Sequence, residues 1–185
     1  MSRADARDRI IAAAVQLGTA QGAGALSLQA VADSAGVSKA LLLYHYEEKG
    51  ALLGVVARTI GEDAAERINA AARAEHPMDA WHALAQEECA RGEMALLAAL
   101  LLDPAVDLSV VRETRRARTD AATRLASRML GAVGLAPRVP VEFVGRFLLR
   151  ELDGLVHASG RDGLRGEALD VELDAVVLAL LALGR

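Results

Sequence analysis

The side chains best equipped for chemistry are few and scattered. Cys89 is the single cysteine, so no intramolecular disulfide can form, and its neighbours Glu88 and Ala90 supply no activating cation. A packed thiol in a reducing compartment, the cytoplasm, is expected. A metal would need ligands converging at short spacings, yet His82 and Cys89 stand seven apart and His157 is distant. No metal and no cofactor is therefore expected. The chain holds no Gly-rich phosphate loop, no GxSxG and no HExxH, and its acidic residues show no distinctive pairing. No catalytic residue is assigned, and the chain is not read as an enzyme.

What remains is hydrogen bonding and local charge. Lys39 and Lys49 are the only lysines, every other cation being Arg, and both fall in one short stretch with Tyr44 and His45. The net charge of −4 argues against indiscriminate polyanion binding. Over residues 1–50, Arg3, Arg7, Arg9, Lys39 and Lys49 cancel Asp5, Asp8, Asp33, Glu47 and Glu48, so any nucleic-acid contact must come from local arrangement. Arg112, Arg115, Arg116, Arg118, Arg124 and Arg128 invite a second nucleic-acid surface or an anionic-ligand contact. Because Glu113 and Asp120 intersperse with them, an ordinary solvated helix face is the stronger reading.

The elements that must position these groups are helical. Ala and Leu abound, aromatics make up 3% of the chain, and Pro occurs only at Pro77, Pro104, Pro137 and Pro140, which gives an all-α fold. No apolar run approaches the roughly 18 residues of a membrane span, and residues 1–9 alternate charges unlike a targeting signal. The first helix spans about Ala4 to Gln21 and stops at Gly22 and Gly24. Ser27 is an N-cap for a short helix with Leu28, Val31, Ala32 and Ala35 on its buried face. Gly36 suits a positive φ, and Ser38 caps a third helix, Lys39 to about Tyr44. Small Ala32 lets the two helices approach, and Leu42 plugs the gap between them. The pattern is a helix, a tight turn and a helix.

That spacing carries a resemblance. SLQAVADSAGVSKALLLYHYEEKGALL, residues 27–53, resembles the TetR-family signature: a Ser-capped helix, AGVS, an aromatic–His–aromatic end and a Lys opening the fourth helix. The resemblance implies an N-terminal three-helix helix-turn-helix DNA-binding domain, residues 1–50 and extending into helix four. Residues 51–185 would then form a helical ligand-binding and dimerisation domain. It places Ser27 and Gln29 near phosphate and sometimes a base, and Ser38 near phosphate. Lys39, Ala40 and Leu41 would face base edges in the major groove, where Lys donates to guanine acceptors and Leu touches a thymine methyl. Tyr44, His45 and Lys49 would meet the sugar-phosphate backbone. Leu43 departs from the family, which usually carries a Tyr hydroxyl there.

Beyond Lys49 a long helix continues toward Ala74, which Pro77 ends at the latest. A further helix follows from a cap at Asp79 to Gly92, then Glu93 to Leu102, Asp107 to Leu130, a break over 131–140, a helix from Val141, and Asp170 to Leu183. Val141, Val144, Leu148, Leu152 and Leu155 form one stripe, and the last helix is apolar almost all round through Val176, Val177, Leu180 and Leu181. Two such helices from each chain would make the four-helix homodimer interface that the resemblance implies, placing two recognition helices roughly 34 Å apart on double-stranded DNA. A small, mostly apolar ligand is expected among Trp81, His82, Gln86, Cys89 and His157, releasing a repressor from a pseudo-palindromic operator. A helical dimerising adaptor without DNA or ligand is the alternative; it leaves the Ala32, Gly36, Leu42, Tyr44, His45 and Lys49 arrangement as coincidence.

Overall fold

The structure is a computed structural model that describes residues 3–185. Met1 and Ser2, at the head of the stretch expected to carry no targeting signal, lie outside the described residues. The chain is all-helical: α1 (Arg3–Gln21), a short 3₁₀ turn (Ala23–Ala25), α2 (Leu28–Ala35), α3 (Lys39–His45), α4 (Lys49–Arg73), α5 (Pro77–Arg91), α6 (Glu93–Leu102), α7 (Leu108–Ala132), α8 (Val141–Asp162) and α9 (Glu167–Ala182). No helix among the described residues is long and apolar enough to cross a membrane.

Two helix starts differ from expectation. Pro77 opens α5 instead of merely ending α4, because its fixed φ and missing N–H suit the first helical turn, and Asp79 falls inside that turn. α9 starts at Glu167, earlier than Asp170. The 131–140 break also does more than separate helices. Ala136 and Arg185 exchange backbone bonds of 3.0 and 2.8 Å, and Arg138 N–H donates to the Leu183 carbonyl at 2.8 Å. This short antiparallel bridge fastens the C-terminal residues.

The helices form two compact units, residues 1–60 with 95–114, and residues 61–94 with 115–185. α4 and α7 contribute residues to both. The first unit is cored by Ile10, Ala14, Leu26, Val31, Leu42, Leu52, Leu97 and Leu100, all essentially removed from solvent. Its α1 and α2 make the most extensive pairing there.

The second unit packs α5, α8 and α9 together over Trp81, Leu84, Leu148, Leu152, Leu173 and Leu180. Charged side chains fix its helices. Arg67 on α4 grips Glu88 on α5 (Nε to Oε1 2.5 Å, Nη2 to Oε2 3.3 Å) and reaches Glu93 at 3.3 Å. On α7, Arg118 binds Asp153 of α8, Arg124 donates to Asn69 at 2.9 Å, and Arg128 caps the end of α4 through the Ala72 and Ala74 carbonyls. Three of the six α7 arginines therefore hold helices in place.

Glu88 is 1% exposed, and Arg67 is the cation that compensates it. Breaking a buried pair by removing one partner leaves an uncompensated charge and costs about 3–5 kcal/mol. Arg67→Ala is expected to lose stability of that order in urea unfolding, and Arg67→Met with Glu88→Leu to recover most of it.

Candidate nucleic-acid interface

The geometry of the first unit follows from three local signals. Ser27 accepts a hydrogen bond from the Ala30 N–H at 3.1 Å, and Ser38 accepts one from Leu41 N–H at 3.1 Å. Each cap satisfies one of the free amides that begin α2 and α3. Between them Gly36 adopts φ 63° and ψ 38°, the left-handed region that other L-residues enter only with strain. Val37 N–H then reaches the Ala32 carbonyl at 3.0 Å and Gly36 N–H the Asp33 carbonyl at 3.2 Å, a paired closure of the helix end. Ala32 and Leu42 are both fully buried where the helices meet.

With Leu42 turned inward, α3 presents Lys39, Ala40, Leu43 and Tyr44 to solvent. Tyr44 is 63% exposed and its ring stands edge-on to His45, with centroids 5.4 Å apart. Leu41 is half-buried and Leu43 is 37% exposed, so the apolar side chain on the outer face is Leu43. At the sequence level Leu43 stands out only as a missing hydroxyl. Its position one turn beyond Lys39 and Ala40 was the signal that could have placed it. His45 is half-buried, and Tyr46 turns into the core.

Ser27, Gln29, Ser38 and Lys49 are also exposed. Gln29 Nε2 donates to Asp33 Oδ1 at 2.8 Å, which occupies one of its donors and leaves the amide oxygen as an acceptor. Exposed Glu47 and Glu48 precede Lys49, so the positive field here is confined to single side chains. The first turn of α4 is seated tightly on the loop after α6: a Cβ at Gly50 would lie 2.3 Å from the Ala105 carbonyl oxygen.

The other expected site residues lie in the second unit. Gln86 and Cys89 line one cavity; Trp81, His82 and His157 do not. Trp81 is in the core, its indole N–H without a partner. His82 is held between the Met78 carbonyl and Asp174, each at 3.0 Å, and His157 is exposed. Val144, Leu148, Leu152 and Leu155 on α8, with Val176 and Leu180 on α9, are buried in the chain's own core, and Val141, Val177 and Leu181 are half-buried. The apolar side chains left outside are Phe143 on α8 and Val171 and Leu178 on α9.

The family model described as bacterial regulatory proteins, tetR family, matches residues 10–56. No curated protein sequence matches the chain. Several solved structures share its fold. A transcriptional regulator from Rhodococcus sp. RHA1 is 24% identical with a TM-score of 0.79, covering 96% of this chain and 97% of that one. A putative TetR-family transcriptional regulator from Mesorhizobium loti is 20% identical with a TM-score of 0.69, covering 100% and 98%. The Bacillus subtilis transcriptional regulator FadR, solved in complex with stearoyl-CoA, is 12% identical with a TM-score of 0.72, covering 95% and 97%.

Because a backbone carbonyl cannot swing aside like a side chain, Gly50→Ala must displace the first turn of α4 and Lys49 with it. A stability loss of about 1–3 kcal/mol in urea unfolding is expected. Gly54→Ala, whose added Cβ meets only ordinary contact at 3.7 Å from Val110, is expected to cost less.

Proposed function

Since residues 10–56 match the family model of tetR-family bacterial regulatory proteins and the whole chain shares the fold of solved transcriptional regulators, we propose that this protein is a dimeric DNA-binding repressor released by a small ligand. The observation that carries this reading is the outward face of α3: a cation, a small residue, an apolar residue and an aromatic, set on a helix capped at its start and braced from behind by Leu42. In the major groove Lys39 would donate to guanine O6 or N7, and Leu43 would meet a thymine methyl. Ser27, Ser38, Tyr44, His45 and Lys49 would hold phosphates and so fix register. The Gln29 amide oxygen is suited to accept from an exocyclic base amine.

Reading two half-sites needs two copies. Val171, Ala175, Leu178 and Ala182 recur at helical spacing on the exposed side of α9, with Val171 63% and Leu178 68% exposed. An apolar stripe on a terminal helix supports a seam between two α9 helices, packed with their α8 neighbours into a four-helix interface. This replaces the α8 stripe, of which Val144, Leu148, Leu152 and Leu155 are already spent on the chain's own core. A ligand then acts by favouring a dimer geometry whose recognition helices no longer match successive major grooves, which requires different affinity for the two states.

In mobility-shift assays against DNA flanking the chain's own gene, Lys49→Ala is expected to weaken every bound site alike and to lower the salt dependence. Lys39→Ala is expected to change the ranking among operator variants. Equal effects of both across an operator panel would refute that division of labour. Leu178→Arg is expected to give monomers in sedimentation velocity and to lose operator binding with them. A Leu178→Arg protein that stays dimeric would move the interface elsewhere.

A further inference from the structure

A cavity of about 280 Å³ opens in the second unit between α5, the end of α8 and the start of α9. Neither the α3 surface nor the α9 stripe uses it. Ser159 on α8 lines it, and the Ser159 hydroxyl is shut off from solvent with no oxygen or nitrogen partner, beside the Cys89 thiol on which it acts only weakly. A buried hydroxyl left unmade is costly, so its presence on a cavity wall points to something that completes it. Arg165, exposed at the rim, has no carboxylate within ion-pair distance among the described residues. α9 begins against the same wall, and no side chain caps its first amides.

The wall therefore carries unspent donors. Its one opposing charge, Asp170, is engaged by Gln86 Nε2 at 2.9 Å. Leu169 and Cys89 supply apolar and thiol surface. Burial pushes the Cys89 thiol up, against the smaller pull of the Ser159 hydroxyl and the Arg165 charge. The thiol thus stays protonated near neutral pH and sets no negative charge against an incoming anion.

We propose that this cavity binds a small monocarboxylate with a short apolar body. Arg165 and Ser159 take the carboxylate, and Leu169 and Cys89 receive the body. The proposal rests on the ligand-release reading only for its consequence at DNA, not for the binding itself.

Hexanoate and its neutral counterpart hexanamide test it on the full-length protein. Cys89 is the chain's single thiol, so its rate of maleimide labelling reports occupancy of this cavity directly. Hexanoate is expected to slow labelling and to bind about tenfold tighter than hexanamide by calorimetry. Arg165→Gln should erase that preference, and Ser159→Ala should weaken hexanoate several-fold by calorimetry. Equal binding of the two probes, or hexanoate binding that leaves Cys89 labelling unchanged, overturns the site. Operator binding is measured separately. A protein that shifts its operator but binds no hexanoate loses this site and keeps its DNA function. One that binds hexanoate with the predicted Arg165 dependence yet never releases DNA keeps the site and loses the release mechanism.

Discussion

The outward face of α3 depends on one backbone constraint, the left-handed turn at Gly36. A residue with φ 63° and ψ 38° lets the α2 end close on itself through the Ala32 and Asp33 carbonyls, and the chain leaves at the angle that starts α3 two residues later. Only glycine enters that region without strain. Once the angle is set, Leu42 must fall into the space beside Ala32, and the remaining positions of α3 have no choice of face. Lys39, Ala40, Leu43 and Tyr44 point outward because Leu42 points inward. The outward set is therefore a consequence of packing, with Gly36, Ala32 and Leu42 holding the frame.

Electrostatics adds local attraction to that frame. Glu47 and Glu48 stand beside Lys49, and over residues 1–50 the acidic and basic side chains cancel, so this stretch carries no net positive charge. On the proposed reading affinity for DNA then rests on a few phosphate contacts, so it should fall only shallowly with salt. In the second unit charge has a different use. Arg67 neutralises a buried Glu88, and Arg118, Arg124 and Arg128 tie α7 to α8 and to the end of α4. The same residue type that suggests polyanion binding from sequence serves there as helix-to-helix fastening.

The legible parts of the sequence were those governed by short-range chemistry. Ser27 and Ser38 cap helices because a hydroxyl can reach an amide three residues on, and Gly36 turns because nothing else turns there so cheaply. Those rules need no knowledge of the partner surface. α9 was not legible in the same way, because it is apolar on every side. Its period could not say that Val176 and Leu180 face the protomer's interior while Val171 and Leu178 face out. The α8 stripe read as an interface for the same reason: an amphipathic pattern reports that a face is covered, not by what. The exposure of Leu43 follows from Leu42 turning inward, a matter of packing that the missing hydroxyl at this position does not reveal. The cavity at Ser159 joins residues from two distant stretches of chain, 86–90 and 159–170, and only the packed structure brings them together.

The central claim is that α3 of each protomer enters the major groove of one operator half. Hydroxyl-radical footprinting of the wild-type protein on DNA flanking its own gene tests this most directly. Two protected patches related by a pseudo-dyad, with centres about one helical turn or roughly 34 Å apart, are the predicted result. A single isolated patch, or protection that nonspecific competitor DNA removes entirely, would contradict it.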